Sequence, residues 1–291
     1  MSVLCLIANP NDPALSPELI AKIHKTTGGE INWLAQKIAC EIIAPNNSDA
    51  LSITKEILRE YPIDVVLIPR ENRRKKLLLA DMDSTMIEQE CIDELADALG
   101  IKEKIAKITE LSMNGKLDFE QALITRVALL KGLDLEIVKQ VRRERISITP
   151  GGRVLVQTMK EYGAYCELVS GGFTIFADYF AKRIGFNNAT ANQLEFDENN
   201  QLTGKVIPPI IDANSKVNRL ETLIGELDIS LTATIAVGDG ANDLPMLKLA
   251  GMGVALHAKP MVAKAAPYCL KHCDLSALLY MQGFNEEQFI R

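Results

Sequence analysis

Hydrophobic and polar positions alternate along this chain in short blocks whose period changes. VLCLIA, residues 3–8, is a continuous apolar run and predicts a strand. SPELIAKIH, residues 16–24, has helical spacing, with Ser16 placed to cap the helix and Pro17 at its first position. INWLAQKIACEIIA, residues 31–44, reads as one long strand or two short ones. SDALSITKEILREY, residues 48–61, returns to a helical period, and DVVLIP, residues 64–69, predicts another strand. These blocks predict a small module of βαβαβ type. RENRRKK, residues 70–76, is charged throughout and reads as a solvated linker.

A second pattern begins with the apolar run LLLA at residues 77–80. Residues 88–148 contain no strand-like run and predict helices. Strands and helices then alternate. CELVS (166–170) is followed by FADYFAKRIG, ATIAVG (233–238) is followed by DLPMLKLAG, and GVALHA (253–258) comes last. Short apolar runs separated by helices predict a parallel sheet covered on both faces. ANQLEFDENNQLTGKVI, residues 191–207, reads as a hairpin with its turn at residues 198–200. The predicted class is α/β, with a Rossmann-like parallel sheet, an inserted helical cap and an N-terminal α+β module. The expected boundaries are 1–73 for the module, 74–87 with 150–291 for the core, and 88–149 for the cap.

The length of 291 residues suits two domains, or one large domain with an insertion. Hydrophobic residues make up 47%, enough for a sizeable core. A net charge of −6 offers no general attraction for nucleic acid or an anionic membrane, so a site for an anionic ligand has to be locally basic. No basic patch with interleaved aromatics suggests nucleic-acid binding. The six cysteines, at 5, 40, 91, 166, 269 and 273, are scattered, and none forms a CxxC pair. Cys269 and Cys273 bracket His272, but no second ligand pair stands nearby to complete a zinc site. The N-terminus lacks the basic start of a signal peptide, and no run approaches the ~20 apolar residues that span a bilayer. A cytoplasmic location is the expectation.

The chemistry concentrates where strands end. In an open parallel sheet, ligands bind beyond the carboxyl ends of the strands. Asp81 follows LLLA directly, Ser170 ends CELVS, and Asp239 follows TIAVG. Asp83 and Asp243 add carboxylates close by, and their mutual repulsion calls for a hard cation. Magnesium, with its oxygen ligands, fits that need. A lone aspartate there usually just ends a strand or caps a helix; the pairing of DMD with GDGAND favours the functional reading. VSGGF, residues 169–173, places a hydroxyl and two glycines between a strand and a helix, where backbone N–H groups can approach an oxyanion. Lys216 could supply a fixed positive charge. In the cap, Phe119, Ala122, Leu123, Val127 and Leu130 form an apolar stripe that also contains Arg126. Arg126 either snorkels to the stripe's edge or grips a carboxylate with its planar fork. Glu90 either favours a helix dipole or, with Arg126, suits an amine and a carboxylate on one small ligand.

DMDSTMIEQECIDELA, SMNGKLDFEQAL, RVALLKG, VSGGF, DANSK and VGDGANDLPML together resemble the haloacid dehalogenase superfamily of phosphohydrolases, and within it the branch acting on phosphoserine. The resemblance spans roughly residues 75–280. It implies magnesium-dependent hydrolysis of O-phospho-L-serine, the last step of serine biosynthesis, through an aspartyl-phosphate. Asp81 would be the nucleophile and Asp83 the general acid and base. Asp81, the backbone carbonyl of Asp83, and Asp239 would bind magnesium. Ser170, Gly171, Lys216 and Asn242 would hold the phosphoryl group, with Asp243 orienting Lys216 or the metal's waters. Glu90 would take the substrate ammonium and Arg126 its carboxylate, while Met113 and Phe119 close over it. The same pair would serve phosphothreonine or phosphohomoserine, and a chain that has lost catalysis is a third reading that the intact carboxylates oppose. The first 73 residues resemble ACT-like amino-acid-binding regulatory modules: a dimerisation or solubility role, giving a homodimer, is the plain expectation, and serine binding with feedback is the alternative.

Overall fold

The computed structural model describes residues 1–113 and 117–291, except the side chains of 112 and 113. The N-terminal module runs β1 (Ser2–Ala8), α1 (Pro17–Thr27), β2 (Glu30–Ala35), β3 (Ala39–Ile43), α2 (Ala50–Ile57) and β4 (Ile63–Pro69). Its four strands form one antiparallel sheet in the order β2-β3-β1-β4. The ambiguous block at 31–44 is thus two strands, because the polar Gln36 and Lys37 turn the chain, with Lys37 at φ 62°. That corrects the expected βαβαβ order to βαββαβ. Ser16 caps α1 as its sequence predicts, accepting from the Leu19 N–H at 3.1 Å.

The main sheet begins with β5 (Leu77–Ala80), whose four residues are all fully buried. A tight turn at residues 82–86, with Ser84 at φ 55°, leads out to four helices. These are α3 (Cys91–Ala98), α4 (Lys102–Met113), α5 (Phe119–Ala128) and α6 (Leu135–Glu144). The chain then returns through α7 (Gly152–Glu161), β6 (Tyr165–Phe173), α8 (Thr174–Ile184), β7 (Asn188–Phe196), β8 (Leu202–Ile207) and α9 (Ala213–Glu226). It finishes with β9 (Thr234–Gly238), α10 (Leu244–Leu249), β10 (Met252–Leu256), α11 (Pro260–Ala265), β11 (Tyr268–Leu270) and α12 (Ala277–Met281). The sheet order is β11-β10-β9-β5-β6-β7-β8, parallel except for the β7–β8 hairpin. β5 lies between β6 and β9, so the three predicted acid- or hydroxyl-bearing strand ends are neighbours.

The helical insertion joins the sheet through two crossing segments, paired by an Ile87–Ile148 bridge. The hairpin holds its far side: the Gly132 N–H donates to Leu202 O at 2.7 Å and the Leu202 N–H to Leu133 O at 2.9 Å.

The stretch at 70–76 is largely exposed, as a solvated linker should be, but Arg73 and Lys75 are partly buried and tie it to distant parts of the chain. Arg73 pairs with buried Glu41 and donates to the carbonyls of Met281 (3.1 Å) and Tyr280 (3.2 Å). The Arg74 guanidinium lies 3.3 Å from the centre of the Phe284 ring, a cation–π contact. Charge alone suggested solvent; the long aliphatic stems also reach partners distant in sequence.

Candidate active site

The site assembles at the carboxyl ends of β5, β6 and β9. The Asp81 N–H donates to Val237 O at 3.0 Å, extending the β5–β9 pairing one residue past the strand and fixing where the carboxylate projects. α9 carries Lys216. Asp212 caps that helix, accepting from the Ser215 N–H at 2.8 Å, while the Asp212 N–H donates to Ser215 Oγ at 3.1 Å. This reciprocal cap sets the start of α9, and Lys216 follows at once. Its ammonium lies 2.5 Å from Asp81 Oδ1 and 2.6 Å from Asp243 Oδ1, with no solvent exposure.

Asp81, Asp239 and Asp243 offer carboxylate oxygens that all lie within 4.8 Å of one another. Among the described residues, only one ammonium is ion-paired to these three carboxylates. Burial and the Asp243 charge push Asp81 well above the usual carboxylate range, against the pull of Lys216. Burial, then Asp243, push Asp239 up to about 6. Burial disfavours the Lys216 charge, but Asp243 and Asp81 outweigh it and raise its pKa. This excess of buried negative charge and oxygen donors is what a divalent magnesium ion would balance. Asp243 is already engaged on both oxygens, by Lys216 and by the Gly240 N–H at 2.9 Å. Asp239 is bound by the Thr85 hydroxyl at 3.1 Å. Gly238 permits this crowding: a Cβ there would meet the Asp243 carboxylate at 2.5 Å.

Asp83 stands apart from this cluster. Its Oδ1 accepts from the Cys91 N–H, at the start of α3, at 3.2 Å. Burial, then the Glu90 charge, raise it to about 7. Near neutral pH this carboxyl can therefore hold or release a proton.

A pocket of about 520 Å³ joins these groups to the cap. It is lined by Asp81, Asp83, Glu90, Phe119, Arg126, Ser170, Gly171, Asp239 and Asn242. Lys216 and Asp243 lie buried behind its floor. Ser170 Oγ accepts from the Gly172 N–H at 2.9 Å, and the Phe119 ring rests against Gly171. Glu90 precedes α3 and accepts from the Ser84 hydroxyl at 2.6 Å. Arg126 spends one donor on Ala122 O, at 3.2 Å, and forms no ion pair among the described residues. Its uncommitted donors fit the reading of Arg126 as a carboxylate grip. Met113 ends α4, and its side chain lies outside the described residues.

Sequence reasoning missed four residues here. Asn192, on β7 and fully buried, donates to Gly171 O (2.9 Å) and Ile211 O (3.1 Å) and accepts from the Ile211 N–H (2.8 Å). Ser170 and Gly171, expected between strand and helix, instead lie in the irregular last part of β6, where the register shifts between Val169 and Phe173, and Asn192 ties them to the loop preceding α9, a role no local pattern signals. Thr85 was visible in the DSTM run but had no assigned partner. Asp93 also lines the pocket, one helical turn after Glu90, a spacing that could have flagged it. Lys259 lines the opposite wall.

An aspartate at the end of a buried parallel strand, a buried lysine, a carboxylate cluster and an inserted helical block are the features of a phosphate-handling hydrolase of the α/β type. The family signature of haloacid dehalogenase-like hydrolases matches residues 78–248, and the chain belongs to that family. It is a phosphatase. A probable phosphoserine phosphatase of Schizosaccharomyces pombe is 43% identical over 74% of this chain and 72% of its own length. Among other curated relatives the matched span runs from 55% to 93% of the relative. The unliganded crystal structure of a probable phosphoserine phosphatase from Vibrio cholerae superposes with a TM-score of 0.82 at 32% identity, covering 99% of this chain and 88% of that one. A phosphoserine phosphatase solved as a phospho-aspartyl intermediate analogue is 40% identical, with a TM-score of 0.66 over 71% of this chain and 98% of its own. Among the described residues, no helix is long and apolar enough to cross a membrane.

Proposed function

We propose that this phosphatase hydrolyses O-phospho-L-serine to L-serine and phosphate, the last step of serine biosynthesis, in the cytoplasm. The observation that carries the substrate assignment is that Arg126, Glu90 and Asp81 line one pocket. A small molecule bearing a carboxylate, an ammonium and a phosphate has three separated charges, and the pocket offers a partner for each. Arg126 takes the carboxylate, with Glu90 taking the ammonium. Phe119 closes over the ligand.

Asp81 attacks phosphorus in line, and the serine oxygen leaves with the proton that Asp83 donates. The product is serine and an aspartyl-phosphate on Asp81. Asp83, now a carboxylate, takes a proton from water, and the water oxygen attacks the phosphoryl group to release phosphate and regenerate Asp81. The Lys216 ammonium, the Ser170 hydroxyl, the Gly171 N–H and Asn242 hold the phosphoryl oxygens while charge redistributes. Asp81, Asp239 and the Asp83 carbonyl would hold magnesium, which when bound neutralises phosphoryl charge. Asp243 orients Lys216. The cap excludes bulk water during transfer and opens for product release.

We read the chain as residues 1–73, an ACT-like module supporting a homodimer; 74–87 with 150–291, the catalytic core; and 88–149, the cap. The βαββαβ order of the module supports the first assignment.

The test is phosphate release from O-phospho-L-serine with and without magnesium, for wild type and Arg126→Ala. We expect magnesium dependence and a loss in kcat/KM of roughly 100-fold, on the order of 3 kcal/mol of transition-state binding. Equal turnover of many phosphomonoesters, with Arg126→Ala unaffected, would overturn the substrate assignment while leaving the phosphatase intact.

A further inference from the structure

A second cleft, of about 920 Å³, lies between the N-terminal module and the β10–α11–β11 edge of the main sheet. Leu58 and Tyr268 give it an apolar wall, and Lys55, Lys264 and Lys271 line it as well. Its one acidic lining residue is Asp64. That carboxylate is already met by three backbone N–H groups, from Lys271 (2.9 Å), His272 (2.9 Å) and Cys273 (3.0 Å). Among the described residues, Lys55, Lys264 and Lys271 form no ion pair. Arg59, at the same rim, is held by Glu56.

In a chain of net charge −6, three ammonium groups without an ion pair, against one carboxylate, make this concavity a local reversal of sign. Concave, partly apolar walls strengthen attraction for an anion relative to a flat solvated surface. The lysines also come from both sides. Cys269, half-buried in the cleft, feels Lys271 from its own loop, then Asp64 in the opposite sense, then Lys55 from α2, although burial dominates and raises its thiol.

We propose that this cleft is a second ligand site, which takes a small organic anion. Its charged head meets Lys55, Lys264 and Lys271, and its apolar body rests on Leu58 and Tyr268. The site is also placed to communicate. α11 is a wall shared by both cavities: Pro260 and Ala263 line this cleft, whereas Met261 and Val262 line the catalytic pocket. Occupancy therefore acts on substrate binding at the catalytic pocket more than on the chemical step.

The probe is 8-anilinonaphthalene-1-sulfonate, an aromatic anion that a phosphatase cannot cleave, added to the full-length chain. We expect saturable single-site fluorescence and protection of Cys269 from iodoacetamide by about fivefold at saturation. The other five cysteines are buried, which makes Cys269 the reporter. The double variant Lys55→Glu, Lys271→Glu is expected to weaken the probe by about tenfold or more. In wild type the probe should shift KM by about threefold with kcat nearly unchanged. Undiminished binding by the double variant, or unprotected Cys269, would overturn the site. Displacement of the probe by O-phospho-L-serine without Cys269 protection would place it in the catalytic pocket and overturn the site equally. An unshifted KM at saturation would overturn the link through α11. If the double variant does not fold, Lys264→Gln and the wild-type protection assay decide the question.

Discussion

The Lys216 ammonium lies 2.5 Å from Asp81 Oδ1 and is fully buried beside it. Removing one partner of a buried ion pair leaves an uncompensated charge, which costs more than the pair contributes. Lys216→Met should therefore destabilise the metal-free protein by about 3–5 kcal/mol and abolish measurable turnover. Added magnesium should restore part of the melting temperature and none of the activity. Thermal melts in chelator and in magnesium, alongside phosphate release, check this. A variant as stable as wild type in chelator would show that the carboxylates are already protonated there.

Adjacent glycines in the VSGG segment should fail differently. A Cβ on Gly172 would lie 2.6 Å from Asp83 Oδ2 and 3.0 Å from Met82 Cε, so Asp83 has to move. A Cβ on Gly171 would meet only the Phe119 ring edge, at 3.1 Å, among side chains that close. Displacing a catalytic group by about 1 Å costs roughly 100-fold. Gly172→Ala should lose that much in kcat, whereas Gly171→Ala should mainly raise KM. Steady-state kinetics on both variants separates the two effects, and equal losses in kcat would count against Asp83 as the proton donor.

Asp83 predicts a pH dependence of stability. Its folded-state value, about 7, stands above the ordinary 3.8. The folded state therefore holds this proton more tightly than the unfolded chain. The stability it contributes is complete below about pH 4 and is lost as the pH rises through about 7. Asp83→Asn cannot ionise, so it should be more stable than wild type at pH 8, by about 2 kcal/mol after allowing for exposure to the pocket, and level with it near pH 4. Denaturant melts across pH in chelator measure the difference. A constant offset between the proteins at every pH would contradict the assignment.

Arg73 predicts a coupling between the module and the core. It pairs with Glu41, which is 2% exposed, and donates to Tyr280 O and Met281 O. Arg73→Ala should cost about 3 kcal/mol, because it leaves the Glu41 charge buried and the carbonyls unmet. The module should then melt ahead of the core. Calorimetry and limited proteolysis near residues 70–76 read this out, and a single unchanged transition would speak against the strap.

Much of the site was legible because its parts are local. DMD, VSGG and GDGAND each follow an apolar run, so each had to project from a strand end. Ser16 announces its helix through capping chemistry that needs only three or four neighbouring residues. Arg126 stood out as a charge within an apolar stripe. Asn192 did not stand out, because the two residues it bonds, Gly171 and Ile211, lie about twenty residues away along the chain. Within the largely exposed 70–76 stretch, the partners of Arg73 were hidden for a related reason: they come from distant parts of the chain.

By itself the sequence determined most of the strand and helix blocks, the run of helices between β5 and β6, and the acidic residues that follow the apolar strands. These follow from periodicity and from short-range backbone bonding, which a chain carries at every point along its length. Only the tertiary structure decided that Asp81, Asp239 and Asp243 crowd around one lysine, and that Arg73 fastens the N-terminal module. It also decided that α11 stands between two cavities. Those relationships depend on strand order and on side chains brought together from distant positions, and burial then sets the charge each group can hold.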